Sequence, residues 1–391
     1  MKRIIALLCC FVFFCGCTNI KKENKKEENA PEEIRCVWLS IYDMGVLQCL
    51  SEGGFRIKAE SIFKDINEKG FNHVFVQVRP YSDAFYESEI FPWSKYCSGV
   101  QGKSPGYDFF GIMVELAHKY SLKIHAWINP YRIASSVAEM EKLSDNNPAK
   151  IMYQNTPTDI YFASNGIYYN PASDRVRKLI LDGIREIIEK YKVDGVHIDD
   201  FFYPTTNEEI DKKEYEEYKR KAGEKSLAEF RINQVNAFVT GMYSLIKSKN
   251  KSIIVSISPS GDIEKNKTTL YADVKEWSTE NGYCDWIIPQ VYYGFENEKM
   301  PFEDVLKVWK NLVTNKNIKL IIGLGFYKAG QTDFYAGKGK NEWTENDDVL
   351  SRQLKTLRKE NCDGFSAFSY GSIVGKEWEN FRSEMSLISS S

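Results

Sequence analysis

Short runs of β-branched and aromatic residues recur along this chain, and between them lie longer stretches whose apolar residues return every three or four positions. The runs fall at 35–41, 73–79, 123–129, 194–201, 252–258, 285–291, 319–325 and 363–369, and each reads as a buried strand. Helical periodicity occupies 59–69, 109–120, 174–190, 229–249, 270–280, 301–313 and 347–360. It is sharpest over 174–190, where Val176, Leu179, Ile180, Ile184, Ile187 and Ile188 share one helical face and Asp174 suits the first turn.

Eight strands alternating with helices predict an α/β chain folded as a parallel (β/α)8 TIM barrel with enlarged βα loops, spanning 34–385. A doubly wound open sheet is the rival. It would want a glycine-rich phosphate loop after an early strand, yet the first strand runs into Ser40-Ile41-Tyr42-Asp43, and no G-x-G-x-x-G or Walker lysine motif follows any strand.

In a barrel, chemistry collects at the carboxyl ends of the strands. Seven of the eight segments there carry tyrosine, and carboxylates, arginine and glutamine occur among them, which describes a cleft for a hydroxyl-rich ligand. The long loop 81–108 holds Trp93 and suits one wall of it. Among these segments Val193 to Pro204, V-D-G-V-H-I-D-D-F-F-Y-P, stands out. Val193, Val196 and Ile198 make a short buried strand, Gly195 leaves room for a close neighbour, and Pro204 stops the run. Asp199 and Asp200 then sit at the strand's end, where charge would be costly in a core but is useful at a rim. Alone, such a pair serves equally well as a helix cap or ion-pair partner; its company makes it the candidate reaction centre.

Composition narrows the field. With 43% hydrophobic residues in 391, the chain can bury a large core. A net charge of −2 without a basic stripe argues against nucleic acid as a partner. Of 23 tyrosines and 8 tryptophans most must fill the core, but those in loops, Trp93 and Trp343, suit sugar platforms, whereas Trp127 and Trp286 lie inside strands and read as core. Asp194 and Asp285 begin their strands on the far side and read as structural. Five cysteines beyond the leader are scattered and odd in number, so no disulfide framework follows, and neither C-x-x-C nor H-E-x-x-H offers a metal site. No cofactor is expected.

Residues 1–17 read as a leader: Lys2 and Arg3, an apolar run from Ile4 to Phe14 too short to span a membrane, then Cys15-Gly16-Cys17. Gly16 before Cys17 resembles the lipobox of bacterial lipoproteins, which implies lipidation at Cys17 and a membrane anchor outside the cytoplasm. Plain secretion with cleavage nearby is the alternative. Residues 18–33, rich in Lys, Glu and Asn, form a solvated tether, and 386–391 a short tail.

Several longer motifs, in order, resemble the glycosyl hydrolase-like 10 family: Gln77-Val-Arg-Pro-Tyr-Ser-Asp-Ala, Pro92-Trp-Ser, Gly102-Lys-Ser-Pro-Gly-Tyr-Asp, His125-Ala-Trp-Ile-Asn-Pro-Tyr-Arg, Asp194-Gly-Val-His-Ile-Asp-Asp-Phe-Phe-Tyr-Pro and Pro289-Gln-Val-Tyr. These are bacterial envelope lipoproteins and secreted proteins, among them a hydrolase of the division site acting on peptidoglycan glycan strands stripped of peptides. The resemblance runs from about Glu33 to Trp378 and implies a barrel and glycoside hydrolysis at the cell envelope, on peptidoglycan or another amino-sugar glycan. Ser258-Pro-Ser-Gly-Asp and Tyr293 depart from the family pattern at probable sugar contacts.

Glycoside hydrolysis normally takes a carboxylic acid for the leaving oxygen and a second carboxylate at the anomeric carbon. Adjacent residues on an ideal strand face opposite ways, so two schemes stay open. In one, Asp199 is the nucleophile or charge stabiliser and the acid comes from Asp262, Glu296, Asp43, Asp83 or Asp333. In the other, which suits an N-acetylated glycan and is favoured here, Asp199 orients a 2-acetamido group that attacks, and Asp200 is the acid. Around the pair, Arg79, Asn129, Tyr131, His197, Gln290, Tyr292 and Trp93 are the candidate substrate contacts. His197 could instead be a buried histidine of the barrel wall, and Arg79 a structural ion-pair partner. A non-catalytic glycan-binding lipoprotein is the competing function.

Overall fold

A computed structural model describes residues 32–223 and 226–374. Cys17, the tether through Pro31 and the tail 386–391 lie outside the described residues, as does the stretch 375–385. Eight parallel strands close into a barrel: Ile34–Leu39 (β1), His73–Arg79 (β2), Lys123–Ile128 (β3), Gly195–Ile198 (β4), Ile254–Ile257 (β5), Trp286–Ile287 (β6), Lys319–Leu324 (β7) and Gly364–Ala367 (β8). Each pairs with its sequence neighbours, and β8 closes against β1.

The periodic stretches form the outer layer: Glu52–Glu68 (α1), Phe109–Lys119 (α2), Asp174–Lys190 (α3), Leu227–Lys249 (α4), Val274–Thr279 (α5), Phe302–Leu312 (α6) and Val349–Lys359 (α7). Helix α3 forms because Val176, Ile180, Ile184 and Ile187 return on one face and bury it against the barrel. Ser173 caps it by accepting from Val176 N at 3.3 Å. Helix α1 starts well before its apolar pattern does, because Ser51 accepts from Gly54 N and lets Gly53 and Gly54 join the first turn. Periodicity missed a small antiparallel sheet of Arg132–Ala134, Ile160–Ala163 and Gly166–Tyr169 inside the long β3–α3 connection, since strands of three or four residues leave too little alternation to detect.

At the amino-terminal face of the barrel one arrangement occurs four times. The residue leading into each even-numbered strand clasps the preceding odd-numbered strand through both its backbone and its side chain. Asn72 N donates to Arg35 O at 3.0 Å while Arg35 N donates back to Asn72 Oδ1 at 2.8 Å. Asp194 does the same with Ile124, Asp285 with Val255 and Asp363 with Leu320, the side chains accepting at 3.0, 2.7 and 2.9 Å. Asp194 and Asp285 are therefore structural, their remaining charge met by His118 and Lys123 in one case and Lys247 in the other.

Side chains alternating inward fill the barrel interior with rings. Trp38, Phe75, Trp127 and Trp286 pack there with Cys36, Ile288 and Ile321. Three histidines join them. His73 Nδ1 lies 3.0 Å from His125 Nε2, and Trp38 Nε1 donates to His197 Nε2 at 3.0 Å. With Nε2 occupied as an acceptor, His197 carries its proton on Nδ1 and donates to Ser256 Oγ at 2.9 Å. Burial pushes His197 down to about 3 and holds His125 well below the usual histidine range, so both of these rings are neutral at neutral pH. Gly195 makes room for it: a Cβ there would lie 2.6 Å from His125 Cε1 and 2.9 Å from Cγ.

Candidate active site

Strand β4 ends at Ile198, so Asp199 and Asp200 belong to the turn that follows, and the rule that neighbours face opposite ways lapses at this point. Asp199 continues the inward face of Gly195 and His197. Its Oδ2 accepts from Asn129 Nδ2 at 2.5 Å and from Trp127 Nε1 at 3.2 Å, both from the β3 side, and Phe201 N donates to Oδ1 at 3.4 Å. Asp200 leans the other way. Its carboxylate takes a hydrogen bond from the side chain of Gln290, beyond β6, which also donates to Ser258 O at 3.0 Å. The two carboxylates thus share the barrel mouth, one held from β3 and the other from β6.

Burial and the adjacent Asp200 charge push the Asp199 carboxyl up to about 7, against the pull of Arg132 and the Asn129 and Phe201 donors. Asp200 is also raised, by burial, against the opposing effects of the Lys265 charge and Gln290. Two close carboxyls above the neutral His197 resist holding two negative charges, so the pair retains a proton near neutral pH. Tyr292 stands beside both, its ring 5.9 Å from Tyr327 and 5.8 Å from Phe368, and makes one aromatic side of the mouth. On the opposite side the Arg132 guanidinium lies 4.6 Å over Tyr81 and 4.8 Å over Phe201.

Among the sequence-derived contacts, the structure brings Asn129, Gln290 and Tyr292 to the pair and sets His197 beneath it, as part of the barrel wall. Arg79 and Tyr131 are elsewhere. A register slip in β2 between Gln77 and Arg79 turns Arg79 out of the interior, where it is buried 3.6 Å over Phe91 and presses against Gly183 of α3. Tyr131 is buried against Phe238 of α4, on the outer side of the sheet. Trp93 is half-buried in its loop, and Trp343 is buried rather than an open platform. Trp127 lies within the core as expected, but it also holds Asp199. The parity that makes Asn129 face the mouth puts Trp127 one step below, so the signal was available. Arg132 lay in the quoted Asn-Pro-Tyr-Arg run; nothing in the sequence marked Lys265.

Most of the alternative acids are engaged elsewhere. Asp43 accepts from Ser40, Ser369 and Gly371 and ties the β1 and β8 loops together. Asp262 caps a short helix through Lys265 N, and Asp333 pairs with Lys328. Glu296 is exposed, and Asp83 is buried in the β2 loop. Among the described residues no group of three or more His, Cys, Asp or Glu is placed to hold a metal ion.

Comparison with known proteins places the chain in a family. The chain is 34% identical over 350 residues to glycosyl hydrolase YngK of Bacillus subtilis (strain 168), covering 83% of this chain and 67% of that protein. It is 30% identical over 308 residues to glycosyl hydrolase DigH of Escherichia coli (strain K12), covering 73% of this chain and 68% of that protein. Among solved structures, the PgaB (BpsB) glycoside hydrolase domain from Bordetella bronchiseptica aligns with a TM-score of 0.64 at 11% identity, covering 92% of this chain and all 100% of the domain. The catalytic domain of β-amylase from Paenibacillus polymyxa aligns at 0.58 and 10% identity over 92% of this chain and 99% of its own. At such identities the structural likeness speaks for the barrel fold. The sequence pattern of Glycosyl hydrolase-like 10 matches residues 33–343, from β1 to beyond β7, and the chain belongs to that family.

Proposed function

We propose that this protein is a glycoside hydrolase of the bacterial cell envelope, with Asp199 and Asp200 as catalytic residues and the glycan strands of peptidoglycan, an amino-sugar polysaccharide, as substrate. The observation that carries the reading is the pair itself: two adjacent buried carboxyls at one barrel mouth, held from opposite sides, both raised by burial and Asp199 further by the Asp200 charge, which favours one shared proton near neutral pH. That protonation state is the one acid catalysis requires. Binding alone would not need it, which favours the enzyme over a glycan-binding lipoprotein.

Asp43, Asp262 and Asp333 are engaged in ties of their own, which favours attack by the substrate's own acetamido group. Asp200 gives its proton to the glycosidic oxygen as the bond to C1 breaks. The acetamido carbonyl oxygen closes on C1, and Asp199, positioned by Asn129 and Trp127, holds the acetamido N–H and balances the positive charge of the ring so formed. Water then opens the ring and returns its proton to Asp200. The Lys2-Arg3 leader and Gly16-Cys17 support export and a lipid anchor at Cys17.

The test is release of soluble fragments with new reducing ends from peptide-stripped peptidoglycan strands. Asp199→Asn and Asp200→Asn should each lower it at least about a hundredfold while circular dichroism shows the fold intact. Wild-type turnover in both variants would falsify the assignment. Strand binding by the wild type without any release would establish the binder instead.

A further inference from the structure

A cavity of about 300 Å³ opens beside the mouth, lined in part by Tyr81, Asp83, Lys95, Tyr96, Gln101 and Glu139. Its floor is built rather than incidental. Gln101 Oε1 accepts from Ser144 N, Ser144 Oγ and Asn147 Nδ2 at 3.0, 3.3 and 3.1 Å, which fixes the amide and leaves its nitrogen to donate to Asp83. Asn147 is itself locked, donating to Ser82 O at 2.7 Å and accepting from Ser82 Oγ at 2.9 Å. Ser94 supplies Asp83 with a second donor. Yet Asp83, only 2% exposed, keeps Oδ1 without a partner. A buried carboxylate oxygen that no protein donor satisfies, on a residue that lines the cavity, is an acceptor for a donor entering from that side.

The nearby charges do not fill that role. The buried Arg79 charge acts on Asp83 without a hydrogen bond to it, and Lys95 is paired with Glu139, which also accepts from Lys142 at 3.0 Å. Two half-buried tyrosines, Tyr81 and Tyr96, line the cavity and offer ring faces. Tyr81 is also the partition: its hydroxyl accepts from Arg132 at 3.1 Å, and Arg132 supplies the positive charge that acts on Asp199. Cavity and catalytic pair are therefore on two sides of one Tyr81–Arg132 wall.

We propose that this cavity is a second saccharide-binding site, holding a sugar unit of the same glycan away from the bond that is cut, with a hydroxyl or amino group donated to Asp83 Oδ1. The inference rests on the glycan reading of the mouth. It makes the protein a reader of chain length, since a short oligosaccharide fills the mouth alone and a longer one reaches both sites.

Isothermal titration of N-acetylglucosamine oligomers into the full chain carrying Asp200→Asn separates the two readings. Ser135, exposed at the cavity rim, can become Ser135→Trp to block the cavity without touching the core. The hexasaccharide should bind at least about tenfold more weakly when Ser135→Trp or Asp83→Asn is added, while the disaccharide binds unchanged. Equal hexasaccharide affinity in all three proteins overturns the second site and leaves the mouth standing. Failure of the Asp200→Asn chain to bind either oligomer or peptide-stripped strands overturns the glycan reading itself.

Discussion

Gly195→Ala adds one methyl group at the centre of the barrel, and the structure says what it meets. The new Cβ would overlap His125 Nδ1, its nearest neighbour, and sit 2.6 Å from Cε1, where ordinary contact is 3.4–4 Å, so the ring must move by more than roughly 0.8 Å or the strand must shift. His125 has nowhere to go: His73 is bonded to it at 3.0 Å, with Phe75 and Trp286 centred 4.9 and 5.4 Å away. Overpacking of this kind costs about 1–3 kcal/mol, and separating the two histidines would add about 1–3 kcal/mol for a buried polar group left unpaired. We expect a loss of about 3–5 kcal/mol by urea denaturation, although alanine is intrinsically the better residue in a strand by roughly 0.5–1 kcal/mol. In a His125→Ala background the same change should cost less than about 1 kcal/mol, because the obstacle is gone. A loss under about 1 kcal/mol in the wild type, or an equal loss in both backgrounds, would refute the steric account.

Three further outcomes are expected. Because the two coupled carboxyls share one proton, which Asp200 must carry for catalysis and which the Asp199 side loses at about 7, hydrolysis should decline as pH rises past about 7; Trp127→Phe, which removes a donor to the Asp199 anion worth about 1.4 kcal/mol, should move that alkaline limb up by about one pH unit, and an unmoved limb would exclude Trp127 from positioning. Asp199 binds its proton more tightly when folded, at about 7 against an ordinary 3.8, so it contributes stability at low pH that is lost as pH rises between those values. Asp199→Asn should accordingly melt higher than wild type at pH 8 and converge with it toward pH 4 in a thermal-shift series. Finally, Arg231 is wholly buried, forks onto Asp211 at 2.8 and 2.7 Å, and also donates to Thr206 O, Asn207 O and Tyr271. Arg231→Met should cost about 3–5 kcal/mol by leaving Asp211 uncompensated, and a change within about 1 kcal/mol would show the pair to be dispensable.

The barrel was readable because its strands are buried on both faces and its helices on one, which writes two distinct periods into the chain. Helix α3 agrees with its expected bounds at both ends, since Ser173 and the apolar stripe act together. Strand β6 shrinks to Trp286–Ile287, because Pro289 lacks the N–H that would continue the ladder. The acidic pair was legible as charge at the end of a buried run, but whether both members faced the mouth depended on where β4 stops. Arg79 misled for a related reason: its orientation is decided by a slip of register against β3, and such slips leave no local trace. Lys265 reaches the pair from a helix capped by Asp262, so its influence arises from tertiary placement alone.

The fourfold clasp at the amino-terminal face divides the barrel in a way the closed sheet conceals. Each clasping residue gives two bonds to the strand before it but only one to the strand after, through its carbonyl: Lys123 N to Asn72 O at 2.9 Å, Ile254 N to Asp194 O at 2.9 Å, Lys319 N to Asp285 O at 2.9 Å and Ile34 N to Asp363 O at 3.0 Å. At this face the chain is thus a ring of four quarter-barrels, with two clasp bonds inside each quarter and one across each boundary. A polypeptide divided at 120–122 or 250–253 separates between quarters and keeps every double stitch on one fragment, whereas division at 69–72 or 191–194 cuts into the segment that carries the clasp. Complementing fragments of this protein should therefore reassemble from the first kind of cut and not from the second.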